Sequence, residues 1–184
     1  MQTRISLDGE WQFCEVGANI WQKGNVPGCV QLDLLRLGQV PDPFYRLNEI
    51  EMHRLEAKEW VYRKSFDLSA DALEGDGIEL VLEGVDTIAD VYLNNIYLGT
   101  TMDMFMTYRY DILDVVEQGA NTLEVRFYSP LTTIKAMEAS SPLRLHCSCE
   151  TARNYIRKAQ YSYGWDWGPR IAQVGLWRPV YIEI

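Results

Sequence analysis

The sequence predicts an all-β fold, an antiparallel sandwich of the jelly-roll type with long irregular loops and one or two short helices. Three observations carry that expectation. Apolar residues recur with period two in short segments, tight-turn residues separate those segments, and helical spacing is scarce. Taken in order, Trp60, Tyr62 and Phe66 alternate with Val61, Arg63 and Ser65, and Ile78, Leu80 and Leu82 alternate with Glu79, Val81 and Glu83. Ala89, Val91 and Leu93 follow the same rule, then Leu123, Val125 and Phe127, and finally Val180, Ile182 and Ile184 with Tyr181 and Glu183 between them. Each segment has one apolar face for a core and a wetter face for solvent, the mark of a half-buried antiparallel strand.

Turn chemistry punctuates the strands. Asn94-Asn95 between two apolar runs reads as a tight hairpin, because Asn tolerates the left-handed conformation such turns need. Glu117 to Asn121, with Gly119 inside, reads as a second turn. Val30 to Leu37 has helical spacing and stops at Gly38, while Asp111 to Val116 suits one turn capped by Asp111. Two stretches, 27–58 and 131–169, fit no strand rhythm and read as functional loops or lids. With no repeat and no linker, the 184 residues are expected to form one domain.

Composition narrows the partners. The chain has 26 acidic against 17 basic residues, a net charge of −9, which argues against nucleic acid and anionic membrane. Aromatic residues are abundant, with 11 Tyr, 6 Trp and 5 Phe, and a neutral carbohydrate suits such a surface. The opening residues Met1 to Gly9 contain no apolar run, and no segment reaches membrane-spanning length. The expectation is a cytoplasmic protein with Cys14, Cys29, Cys147 and Cys149 as free thiols, an exported form staying open. No cofactor is implied. His146-Cys147-Ser148-Cys149 lacks the distant second ligand pair of a structural zinc site, so no metal is expected.

The most informative motif is Gly164-Trp165-Asp166-Trp167-Gly168-Pro169, a carboxylate between two indoles. Rings that pack on the carbon–hydrogen face of a sugar beside an acceptor for its hydroxyls make one reading. The other is a buried corner, with both indoles in the core and Asp166 capping a turn. The residues alone leave both open. Nearby, Arg153, Arg157 and Lys158 read as solvated charge, Trp177 as core, and Asp86 as a turn stabiliser.

Several stretches share a pattern: Ser6 to Phe13, Val26-Pro27-Gly28-Cys29-Val30 with Asp33-Leu34-Leu35, and Pro41 to Tyr45 with Asn48-Glu49. To these add Gly84 to Asn94, Met104-Phe105, Asn154 to Gln160, Gly164 to Pro169 and Gly175 to Val180. Together they resemble the N-terminal, galactose-binding-domain-like domain of β-mannosidases, in the glycoside hydrolase family that includes β-galactosidase and β-glucuronidase. The resemblance implies a jelly-roll domain followed in the parent enzyme by immunoglobulin-like domains and a (β/α)₈ barrel that carries both catalytic glutamates. It implies no catalytic residue here, and a β-mannoside and the intramolecular barrel as partners. Asp166 would accept sugar hydroxyls, Trp165 and Trp167 would wall the pocket, and Asn48 and Glu49 would be weaker contributors. A galactosidase or glucuronidase domain and a freestanding carbohydrate-binding module are the rival readings.

Overall fold

A computed structural model describes residues 3–75, 77–147 and 150–184. In chain order the regular elements are β1 (Arg4–Ser6), β2 (Gly9–Glu15), β3 (Gln22–Val26), α1 (Val30–Arg36) and α2 (Glu49–His53). Then come β4 (Trp60–Leu68), β5 (Glu79–Leu82), β6 (Val85–Asp86), β7 (Ala89–Leu93) and β8 (Ile96–Thr101). The chain finishes with β9 (Tyr108–Asp111), β10 (Gly119–Phe127), α3 (Thr132–Ser140), β11 (Gly175–Leu176) and β12 (Val180–Glu183). Short 3₁₀ turns lie at Ala70–Leu73, Thr151–Tyr155 and Gln160–Tyr163.

A six-stranded sheet in the order β3-β2-β4-β10-β7-β8 packs over a four-stranded sheet in the order β1-β12-β5-β9, and β6 pairs with β11 as a small third sheet. Every one of these pairings is antiparallel. The register explains the core. Tyr62 sits opposite Phe13 on one side and Val125 on the other, so its ring stacks on Phe13 (5.5 Å, 21°) and meets Phe127 edge-on (5.9 Å, 80°). The inward residues Leu80, Leu82, Val180 and Ile182 of the second sheet belong to the same buried cluster. Each such aliphatic side chain contributes roughly 1.5–3 kcal/mol on burial. Trp11 is fully buried, and its indole N–H donates to Leu7 O at 2.7 Å, so no donor is orphaned there.

The expected strands, the Asn94-Asn95 hairpin (φ 52° and 66°) and the helix at α1 are all present. The outer face of β12 differs from expectation. Tyr181 and Glu183 are buried rather than wet, because the Arg4 guanidinium lies 4.5 Å over the Tyr181 ring and the Glu183 carboxylate is held between Arg4 and Arg109. Among the described residues Asp111 to Val116 forms a turn, with Asp111 Oδ1 accepting from Leu113 N at 3.1 Å, and two short helices, α2 and α3, form inside stretches read as loop. The longer of the two is α3. Its Ile134 is fully buried against Ile88, Ala152, Ile156, Tyr163 and Ala172, a second small core beside the sandwich. Four apolar residues in nine, two of them alanine, are too weak a signal to separate helix from loop in sequence.

Candidate functional site

The Trp165–Trp167 segment is a turn on top of that second core. Gly164 has a left-handed φ of 88°, and a Cβ there would lie 3.1 Å from the Arg170 side chain, so the chain reverses at a residue that must be small. Gly168 N donates to Trp165 O at 3.3 Å and closes the turn, which puts Asp166 and Trp167 at its tip. Trp165 is 47% exposed and Trp167 80% exposed, so neither indole is core. Their rings lie 5.6 Å apart and inclined at 49°, forming an open V. Asp166 is exposed, and its carboxylate has no hydrogen bond or ion pair among the described residues. It caps nothing and is free to accept from a ligand.

Two buried carboxylates hold the stems of this turn. Lys158, with no side-chain exposure, donates to both oxygens of Asp86 at 2.5 Å and to the Gln173 carbonyl at 2.7 Å. One ammonium thus ties the segment entering the turn and the segment leaving it to the β6–β7 corner. Burial pulls the Lys158 pKa down from its ordinary value, against the raising effect of Asp86. On the other side, Glu56 accepts from Ala172 N at 3.2 Å and lies 2.7 Å from Arg170 Nη1, an ion pair whose N–H is not aimed for a hydrogen bond. Burial raises the Glu56 pKa, and the Arg170 charge opposes it.

These residues correct the sequence reading. Lys158 is not solvated charge, and Asp86 does more than shape a turn. Arg153 is nearly buried with its guanidinium 5.9 Å from the Trp165 ring, whereas Arg157 stays exposed beside Asp103. The signal that sequence offered was Lys158 between Ile156 and Ala159, two residues that are themselves buried.

Beside the indoles lies a cleft of about 420 Å³ whose wall includes Leu32, Leu35, Met52, Ile171, Trp165 and Trp167. The loop before α2 reaches this cleft through Pro43 and Phe44. Asn48 and Glu49 do not line it; Asn48 instead bonds back to Asp42 O at 2.9 Å, and Glu49 opens α2. Asp166 sits at the turn tip outside the cleft wall. A smaller hollow of about 230 Å³ lies against the same indoles with Arg153, Gln160 and Tyr161.

Residues 11–178 match the family described as glycosyl hydrolase 2 galactose-binding domain-like. The chain belongs to that family. This glycosyl hydrolase 2 domain is 36% identical over 187 residues to β-mannosidase of Capra hircus, a match covering 97% of the chain and 21% of that protein. It is 33% identical over 189 residues to β-mannosidase B of Emericella nidulans, covering 99% of the chain and 22% of that protein. The crystal structure of β-D-mannosidase from Dictyoglomus thermophilum superposes with a TM-score of 0.96 at 42% identity, covering 98% of the chain and 22% of that chain. A β-D-glucuronidase from Dictyoglomus thermophilum, at 19% identity and TM-score 0.62 over 99% of the chain and 28% of its own, shares the fold alone. The chain spans about a fifth of the length of the β-mannosidases it matches.

In this glycosyl hydrolase 2 domain, Trp177 is half-buried rather than core. It lies between β11 and β12, donates its indole N–H to Met104 O at 3.0 Å and carries Arg178 at 4.4 Å over its ring. The Cys147 sulfur accepts from Arg153 Nε at 2.8 Å. Ser148 and Cys149 lie outside the described residues, among which no three His, Cys, Asp or Glu side chains gather to hold a metal.

Proposed function

We propose that this chain is the non-catalytic domain of a retaining β-mannosidase, one that removes terminal β-linked mannose from mannosides. In this reading the Trp165–Trp167 turn completes the pocket for the terminal sugar and the sandwich braces a catalytic barrel. Asp166, Asn48 and Glu49 are the polar contributors, with Asp166 foremost. The observation that carries the reading is the exposed turn itself. Two indoles and a partnerless carboxylate stand in solvent on stems clamped by Lys158 and Glu56, in a chain 42% identical to a β-D-mannosidase of the same fold.

The chemistry divides cleanly. Retaining hydrolysis uses two carboxyl groups about 5–5.5 Å apart, one as acid/base and one as nucleophile. Among the described residues the cleft beside the indoles is lined by no Asp or Glu. A second hollow of about 290 Å³, lined by Gly28, Met104, Gly175 and Trp177 among others, has Asp86 as its one carboxylate among the described residues, and that group is committed to Lys158. What the turn supplies is orientation. An ionised carboxylate offers only acceptors, so it grips hydroxyl hydrogens, and holding the ring in register lowers the barrier for groups located elsewhere.

The test is substrate profiling of the enzyme that carries this domain, with aryl β-D-mannoside, β-D-galactoside and β-D-glucuronide. The reading expects the mannoside to have the highest kcat/KM. Preference for either other glycoside, or turnover of the mannoside by the 184-residue chain alone, overturns it.

A further inference from the structure

The buried charges of this domain come with partners, apart from one. Among the described residues Asp33 has Arg36, Glu56 has Arg170, Asp86 and Lys158 have each other, and Glu183 has Arg4 and Arg109. Arg153 is 8% exposed, yet no Asp or Glu among the described residues pairs with it. Its Nε donates to Cys147 Sγ at 2.8 Å, while both Nη groups make no hydrogen bond among the described residues. A guanidinium cannot shed its proton to escape burial, so the charge stays. Leaving such a charge without a counterpart is costly. The Trp165 ring, 5.9 Å from the guanidinium carbon, stands at the outer limit of a cation–π contact and is a weak substitute.

Arg153 lines the smaller hollow, of about 230 Å³, together with Gln160, Tyr161, Trp165 and Trp167. The three aromatic side chains are exposed, so the hollow is open to a ligand from solvent. A dry cavity of about 150 Å³ takes up benzene, so this hollow has room for a single substituted ring. Its chemistry is one-sided. Arg153 is the one charged residue among the described residues of the lining. The Gln160 side-chain amide already donates to Arg153 O at 3.3 Å and Lys158 O at 3.2 Å. A ring crowded with hydroxyls would therefore find few partners here. A flat apolar ring suits three aromatic faces, and a carboxylate matches the paired N–H groups of a guanidinium.

We propose that this hollow binds a small aromatic carboxylate, its ring packed among Tyr161, Trp165 and Trp167 and its carboxylate paired with the Nη groups of Arg153. The ligand supplies the counter-charge that the fold leaves out. The proposal is independent of the mannoside reading and of Asp166 as a sugar contact.

The experiment is an NMR titration of the 184-residue chain with benzoate, and with benzyl alcohol and benzylammonium as the same ring without the negative charge. The expected result is saturable shifts at the Trp165 and Trp167 indole N–H groups and the Tyr161 ring, with benzoate binding at least about tenfold tighter than either of the others. Arg153→Met keeps the aliphatic stem and should erase that preference. Where the variant fails to fold, NOEs from the benzoate ring in the wild-type chain take its place, and contacts to Tyr161, Trp165 and Trp167 are expected. No saturable shift, benzyl alcohol or benzylammonium binding as tightly as benzoate, a folded Arg153→Met chain that binds benzoate like wild type, or NOEs to other residues overturns the proposal. Each of those results leaves the substrate profile of the parent enzyme untouched, so the two claims fail separately.

Discussion

Replacing Lys158 by Met keeps the buried aliphatic stem and removes the charge that ties three segments together. Among the described residues the Asp86 carboxylate would keep only the Thr87 hydroxyl as a donor, and the Gln173 carbonyl would lose its bond from the ammonium. Removing one partner of a buried ion pair costs about 3–5 kcal/mol, mostly the penalty of the abandoned charge. For a domain of this length each kcal/mol moves the midpoint by about 2–4 °C, so the Tm should fall by roughly 6–20 °C. Because Lys158 grips both stems of the indole turn, hydrogen exchange should also accelerate at Gly164, Gly168 and Ala172 before it does in β4 and β10. The double variant Lys158→Met with Asp86→Leu removes both charges and should recover most of the loss. Calorimetry and exchange on the single and double variants decide the matter. A Lys158→Met protein within about 1 kcal/mol of wild type would refute the clamp, as would a double variant as unstable as the two singles combined.

Other expectations follow from single contacts. Tyr62→Phe removes the hydroxyl that donates to the buried Asp33 Oδ2 at 2.6 Å, and denaturant unfolding should show a loss of about 1.5–3 kcal/mol. Gly175→Ala should destabilise by about 1–3 kcal/mol in the same assay, because a Cβ there would come within 2.5 Å of Gly28 O and 2.6 Å of Cys29 Cα. The Cys29 thiol, pushed up by burial to about 11, stays protonated at neutral pH. Its alkylation by iodoacetamide should therefore remain slow through pH 9 and rise only as pH approaches 11. Its folded pKa lies above its unfolded value of 9.0, so the stability this thiol contributes is complete below pH 9 and is lost between there and about 11. Labelling already fast at pH 7, or a Cys29→Ala chain that loses stability over that window as steeply as wild type, would contradict the burial.

The sandwich was legible because its information is local. Alternation at Leu80-Leu82 or Val91-Leu93 states which face is buried without reference to any partner, and Asn94-Asn95 states its turn through backbone preference alone. Long-range pairing has no such local mark. Nothing near Lys158 names Asp86, 72 positions away, and nothing near Glu183 announces Arg4 and Arg109. Charges at these places look solvated until the fold brings their partners, which is why the two clamps and the covered face of β12 were missed. The candidate site was legible in the same uneven way. The glycine-bounded Trp165–Trp167 segment reads as a turn, but whether its indoles face core or solvent depends on α3 and the second small core beneath it.

The central claim is that Asp166 positions sugar without cleaving it. The direct measurement is kcat/KM for an aryl β-D-mannoside in the enzyme carrying this domain, wild type against Asp166→Ala. Asp166 is exposed and partnerless among the described residues, so the substitution should leave the Tm unchanged. The account expects kcat/KM to fall at least about tenfold, equivalent to roughly 1.4 kcal/mol of lost transition-state binding. A variant with unchanged Tm and turnover near wild type would contradict it.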